Sequence, residues 1–224
     1  MFDFIVHKFY EGGPLVMGSI FFVLGVSLVI IAERSYRFWI EYDLANSQNF
    51  MLIIQRMVMG DSIENALRLC QKARPKLIPI VLAQGLKRAN ETPQEIENAM
   101  ELAINTVVPK LNSRVPFLAT TANVATLLGL LGTIFGLMKS FGAAAVATGV
   151  QKQTILAEGI SEALTATSFG LGTALLCLFA HGILTAKQQA ILTALTRSSS
   201  HLMDLLYTRK IKGTADLSQI EQEG

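Results

Sequence analysis

The chain has 224 residues, of which 51% are hydrophobic and 16% charged, and its formal net charge is +2. So apolar a composition excludes an ordinary soluble domain. The charge is too small, and the Lys and Arg residues too evenly spread, for a nucleic-acid partner.

In chain order, residues 2–10 (FDFIVHKFY) read either as a short interfacial helix with Phe2, Ile5, Val6 and Phe9 on one face, or as a frayed terminus. The segment has neither the basic start nor the small-residue cleavage site of a secretory signal, so it introduces an uncleaved anchor. Charge-free stretches run from Gly12 to Ala32, Val115 to Met138 and Ala163 to Ala186. Each reaches the roughly 20 residues that a helix needs to cross a bilayer. The reading is therefore an all-α membrane protein with three transmembrane helices and long helical cytoplasmic extensions. Its expected parts are an outside segment (1–11), span one (12–32), a cytoplasmic helical region (33–114) and span two (115–141). A short outside loop (142–157), span three (158–186) and a cytoplasmic tail (187–224) complete it.

Within the polar region, Asp61 followed by Glu64 resembles a capping-box start for SIENALRLCQKA, and Pro75 and Pro79 interrupt the pattern after it. Thr92-Pro93-Gln94-Glu95 is a stronger start, with a hydroxyl N-cap, proline at the first helical position and glutamate at the third. Ile96, Met100, Ala103, Ile104 and Val107 then keep helical spacing toward span two. One long helix is expected to enter the membrane there, bent or locally unwound at Pro109 and Pro116. The tail continues helically with Ile191, Leu195, Leu202, Leu205 and Leu206 as its apolar stripe, and disorder is expected from about Gly213. No internal repeat and no strand pattern is present.

Basic residues set the orientation. Lys8, Lys139 and Lys152 are the few on one side, whereas Arg34, Arg37, Arg114, Lys187, Arg197, Arg209, Lys210 and Lys212 lie on the other. The positive-inside rule then puts the N-terminus outside and both polar regions in the cytoplasm. Tyr36, Phe38, Trp39 and Tyr42 fit an aromatic belt at the inner face. Cys70 falls in the polar region and Cys177 in span three, which argues against a disulfide and excludes a cysteine-based metal site.

Signatures of soluble enzymes are missing, and no metal or cofactor is expected. Gly129, Gly132 and Gly136 lack the Lys-Ser/Thr of a phosphate loop and sit within a span, at the spacing of close helix packing. Ala163, Ala166, Gly170 and Ala174 form a matching small-residue stripe in span three. His7, His181 and His201 have no ligand-spaced partners. If spans two and three form a hairpin centred near Val150, Thr133 and Thr167 lie at one depth. Their hydroxyls then either bond back to the preceding turn or line a polar path. The same construction levels Glu162 with Lys139 at the outer end, as a structural ion pair or as an acid at the mouth of an ion pathway. No acid occupies the centre of any span, so any central titrating group must come from a partner.

The segments GLLGTIFGLMKSF (129–141) and ISEALTATSFGLGTALL (160–176) resemble the second and third membrane helices of the ExbB/TolQ/MotA proton-channel family, on the ExbB/TolQ side. The resemblance is specific from Pro116 to about His181, and the order of parts extends it along the chain. It implies a homo-oligomer, usually a pentamer, in the bacterial inner membrane around a single-span partner of ExbD, TolR or MotB type. That partner would carry the titrating Asp, and proton flow would drive movement for ion-coupled work such as protein transport at the envelope. The resemblance also implies pore-lining roles for Thr133, Thr167 and Glu162. Lys139 departs from the pattern, standing where relatives often carry Asn. The rival classes are a structural membrane scaffold without ion conduction, a secondary transporter and an enzyme. The lack of an internal repeat and of a broken-helix pair speaks against the transporter. The lack of a convergent nucleophile, base or metal ligand speaks against the enzyme.

Overall fold

The computed structural model describes residues 14–42, 47–73 and 75–223. Residues 2–10, read above as an interfacial helix or a frayed end, lie outside them. The elements are α1 (Pro14–Tyr36), a π-helical turn (Arg37–Tyr42), α2 (Ser47–Met59), α3 (Ile63–Lys72), α4 (Leu77–Lys87), α5 (Pro93–Asn112), α6 (Val115–Val146) and α7 (Val150–Glu223). No strand occurs among the described residues. Among the described residues, three helical stretches are long and apolar enough to cross a membrane: Leu15–Ile40, Pro93–Val146 and Val150–Ile211. The fold is that of an all-α membrane protein.

The chain divides into two compact units. The first comprises Met1–Ser35 and Arg114–Thr185, the second Tyr36–Ser113 and Ala186–Gly224. In the first, α6 and α7 form a hairpin whose connection is only Ala147–Gly149. The expected loop of 142–157 is thus almost entirely helical, because alanines and polar helix formers continue both helices up to Gly149, which turns the chain at φ +62. Helix α1 joins the hairpin by burying Val16 and Ile20 against Ala166. Val23 packs further along, against Ala122, Ala125, Ala174 and Cys177. Phe21 and Phe169 add a tilted ring contact at 5.9 Å.

The second unit is built from large apolar side chains. Met51, Ile54 and Val58 of α2 are buried, as are Leu82 and Leu86 of α4 and Ile96, Met100 and Val107 of α5. The tail stripe read from the sequence, Ile191, Leu195, Leu202, Leu205 and Leu206, is buried throughout. Helix α4 was hidden in the sequence by Pro79, which sits in its first turn, where a missing amide breaks no helical bond. Nearly every face of α4 is buried. Gly85 leaves room there for Met100, whose sulfur lies 2.5 Å from where a Cβ would be. Polar ties hold the tail: Gln188 donates to Asn112 at 2.7 Å, Arg209 pairs with Asp61, and Lys210 donates to the Glu91 carbonyl.

Helix starts follow their chemistry. Thr92 caps α5 in a complete capping box: its hydroxyl accepts from the Glu95 amide, and the Glu95 carboxylate accepts from the Thr92 amide. The Thr92 hydroxyl, which also donates to the Glu95 carboxylate at 2.7 Å, and then the Thr92 amide hold the Glu95 carboxyl below its ordinary value of 4.5. The start expected at Asp61 is different. Asp61 adopts a left-handed φ of 57, and Ser62 is the N-cap without a side-chain cap bond. Pro109 stays within α5, while the chain unwinds at Ser113 and Arg114. The ring of Pro116 would clash with the Asn112 carbonyl in a continuous helix, so a new helix starts at Val115. Of the expected aromatic belt only Tyr36 and Trp39 are exposed, since Phe38 and Tyr42 are buried. The ammonium of Lys187 lies over the Trp39 ring at 5.7 Å. The tail backbone is helical through Glu223 rather than disordered from Gly213, because helix formers such as Ala, Leu, Gln and Glu follow that single glycine.

Candidate functional site

The site is the α6–α7 hairpin. Its two helices meet along a seam where glycines allow close approach of the backbones. A Cβ on Gly170 would lie 2.7 Å from the Ala125 carbonyl oxygen and 2.8 Å from the Gly129 Cα. On Gly132 it would lie 2.6 Å from the Ala166 Cβ, and on Gly136 it would press on Ala163 at 3.1 Å. The Ser140 side chain occupies the space that a Cβ on Gly159 would need, and its hydroxyl donates to the Gly136 carbonyl at 2.8 Å. Such close backbone approach is how helices hold together where lipid removes the hydrophobic driving force. Gly129, Gly132, Gly136, Ala163, Ala166, Gly170 and Ala174 therefore pack within one chain. Read from the sequence alone, this small-residue stripe argues for assembly between copies, but the hairpin covers it internally.

Thr133 and Thr167 each follow a residue of the touching pair Gly132 and Ala166, so they share one level of the hairpin. Their hydroxyls go to the main chain. Thr167 reaches across the seam and donates to the Gly129 carbonyl at 3.1 Å, while Thr133 donates to Leu130 of its own helix at 2.6 Å. Both side chains are half-buried. Glu162 and Lys139 come together near the loop end, with Nζ 3.4 Å from Oε2. The Glu162 side chain is 22% exposed and that of Lys139 75%, so the lysine end of the pair is open. His181 meets Thr185 of its own helix at 3.5 Å. Both cysteines are free and buried. Outside the spans, burial pushes the Cys70 thiol up to about 12, which makes it an inert core residue.

Among the hydroxyls of the two spans the sequence reading singles out only Thr133 and Thr167, and the structure exposes others. Ser161, Thr165 and Ser168 follow one face of α7 at spacings of four and three, with Gly172 continuing the line. Ser161 and Ser168 are exposed and Thr165 is half-buried. On α6, Asn123 and Thr120 are exposed as well. The signal that could have found them is helical spacing of polar residues inside an otherwise apolar run. Around them stand exposed Leu130, Ile134, Phe135, Leu164 and Leu171. One hairpin thus presents both greasy and hydroxylated strips outward.

Comparison with known proteins places this arrangement. The sequence profile of the MotA/TolQ/ExbB proton channel family matches residues 73–197, more than half of the chain. A Tol-Pal system protein TolQ of Haemophilus influenzae is 40% identical over 111 residues, 47% of this chain and 48% of that protein. The TolQ of Pseudomonas aeruginosa is 32% identical over 123 residues, 54% of this chain and 48% of its own length. A putative biopolymer transport protein, ExbB-like 3 of Synechocystis sp., is 35% identical over 162 residues, 70% of this chain and 75% of that protein. The chain spans about half the length of the two TolQ relatives and three quarters of the ExbB-like one. The matched residues include α6 and α7 as far as Arg197, with the glycine seam, the two threonines and the Glu162–Lys139 pair, and the chain belongs to the MotA/TolQ/ExbB proton channel family.

Proposed function

We propose that the chain is the channel-forming subunit of a motor in the bacterial inner membrane, driven by the proton-motive force. It energises a single-span partner of ExbD, TolR or MotB type for uptake, envelope maintenance or gliding. Its N-terminus lies outside and its C-terminus in the cytoplasm. Copies of the chain, five in the family's usual ring, surround the partner, whose Asp supplies the titrating group. Thr133, Thr167 and Glu162 line the path, and Lys139 tunes its outer mouth.

The observation that carries this reading is the hydroxylated face of α7, where Ser161, Thr165 and Ser168 stand beside Glu162 in a helix of membrane-spanning length. Polar and acidic groups facing lipid are costly, so such a face belongs against water or a polar partner. A partner carboxylate held in apolar surroundings stays neutral until it meets such a face, because ionising there costs several kcal/mol. Each charge that then crosses yields roughly 2.3 kcal/mol per 100 mV. Since the glycine seam is internal to the hairpin, contacts between copies fall to the exposed Leu and Phe strips.

A scaffold without conduction is the second reading, and the threonine hydroxyls favour it: both bond to carbonyls, as packing alone requires. Proton flux into liposomes holding the chain with its partner separates the two. Glu162→Gln is expected to assemble and to lose about tenfold of that flux, some 1.4 kcal/mol of barrier. Adding Lys139→Gln should not restore it. Full rescue by the double variant would reduce Glu162 to half of a structural pair, and absence of flux in the unaltered complex would favour the scaffold.

A further inference from the structure

The second unit carries a groove of about 790 Å³ between α2 and the tail of α7. Met51 and Leu52 line it from α2, and Ala194, Arg197, Ser198 and His201 from α7. No Asp or Glu is in its wall, and Asp204, the next acid along α7, lies outside it. Among the described residues Arg197 makes no hydrogen bond or ion pair. Ser198 is only 8% exposed, yet its hydroxyl makes no hydrogen bond among them either. The His201 ring adds a donor one turn further along. A wall with these donors and no acid suits an acidic occupant.

The same unit holds acids of matching spacing. Glu97 and Glu101 stand four residues apart on the exposed side of α5, as Arg197 and His201 do on α7. Neither acid is hydrogen-bonded or paired among the described residues. No Lys or Arg lies three or four positions from either, so the two carboxylates repel each other with nothing on their own helix to offset it. Their level matches as well. Helix α5 and the tail of α7 run in opposite directions, tied by Gln188 to Asn112 at one end and by Lys210 to Glu91 at the other. At about 1.5 Å of rise per residue, Arg197 lies about 14 Å from the first tie and Glu101 about 17 Å. His201 and Glu97 lie about 20 Å and about 23 Å from it. A ring whose axis runs along these helices keeps each residue at its own level. The acids of one copy then arrive within about 3 Å of the level of the bases on the next.

We infer that the groove receives α5 of a neighbouring copy of this chain, with Glu101 on Arg197 and Glu97 on His201. The inference rests on the ring of copies proposed above, and gives that ring a second contact away from the hairpin. Groove and acidic strip are different surfaces of one chain, as a head-to-tail contact needs in order to close a ring. Leu52 in the groove and Leu102 beside Glu101 are both exposed, and they supply apolar surface to the same contact. The contact is separate from Thr133, Thr167 and Glu162, and it stands whether or not the hairpin conducts protons.

Cross-linking between two forms of the full chain, co-expressed and purified in mild detergent, tests it. One form carries Arg197→Cys and the other Glu101→Cys, while the native Cys70 and Cys177 are buried. A bifunctional maleimide should join one form to the other as a dimer on a denaturing gel, and should join neither form to itself. Native mass spectrometry of the same chain reads its assembly. Arg197→Glu or Glu101→Arg alone should weaken assembly about tenfold, because like charges then face each other, and both together in every copy should restore it. Oligomers that give no cross-link, or that neither reversal weakens, overturn the inference and leave the ring standing, with the groove open to another acidic occupant. A dimer from either form alone overturns it too, by making the contact symmetric. An unaltered chain that stays monomeric overturns the ring and the inference together.

Discussion

Helices α6 and α7 meet over glycine, alanine and serine, whereas α4, α5 and the α7 tail meet over leucine, isoleucine and methionine. The contrast follows from the solvent each pair left behind. In water, burying a large apolar side chain is itself the driving force, at about 25 cal/mol per Å². In lipid that gain vanishes, and helices hold through close contact and hydrogen bonds such as the one from Thr167 to the Gly129 carbonyl. The same chain therefore obeys two packing rules, and a substitution harmless under one is severe under the other.

The sharpest break should come from removing volume in the second unit. Leu82 is fully buried in α4, and Leu82→Ala should cost about 2–5 kcal/mol of that unit's stability through lost burial and a residual cavity. Thermal unfolding followed by circular dichroism, with limited proteolysis to assign the loss to this unit, would measure it. A loss below 1 kcal/mol would mean that α4 is not the centre of the unit.

Adding volume to the first unit should come next. Gly170→Ala inserts a single methyl, yet the methyl meets a carbonyl oxygen and a Cα, neither of which can rotate away. The expected cost is about 1–3 kcal/mol, seen as a lower midpoint of thermal aggregation in detergent. The same substitution at Gly172, where a Cβ meets nothing, should leave the midpoint unchanged. Equal effects at the two positions would contradict the seam.

The smallest effect probes neither kind of packing. Thr92→Ala removes the cap of α5 and should cost about 1 kcal/mol in urea unfolding. The capping box adds a pH signature. With its carboxyl held low by Thr92, Glu95 contributes stability that is present above 4.5 and lost as pH falls through its lowered value. The variant should lose that acid limb, so the gap between the two proteins should close toward low pH.

Periodicity carried the reading furthest where polar and apolar residues alternate in bulk. The stripe from Ile191 to Leu206 and the Thr92 start were legible because spacing and capping are local properties. Helix α4 was not, because its apolar residues surround it on nearly all sides and leave no polar face to set a period, and Pro79 suggested an interruption. Phe38 and Tyr42 had the composition of an interfacial belt, and only tertiary contacts decide that they are buried. The small-residue stripe was legible as packing, but its partner was not. Spacing says that a close neighbour exists, and it does not say whether that neighbour is the next helix or another copy. The hydroxylated character of the two helices is legible in composition, but which serines and threonines of α7 face outward is decided by how the hairpin packs.

The position of Leu202 bears on the order in which the chain is finished. Leu202 lies 3.2 Å from where a Cβ of Gly85 would be, so the core around α4 is closed by a residue more than a hundred positions later. The first unit, by contrast, has all its helices once synthesis passes Thr185, and its hairpin closes through three residues. Loop closure over so short a span is a fast local event, while the distant pairing is slower. During translation the membrane helices can therefore assemble while Leu82, Leu86 and Met100 still lack their final cover. In that interval the newborn chain exposes a sticky surface to the cell's chaperones, and the interval ends only when the last part of α7 leaves the ribosome.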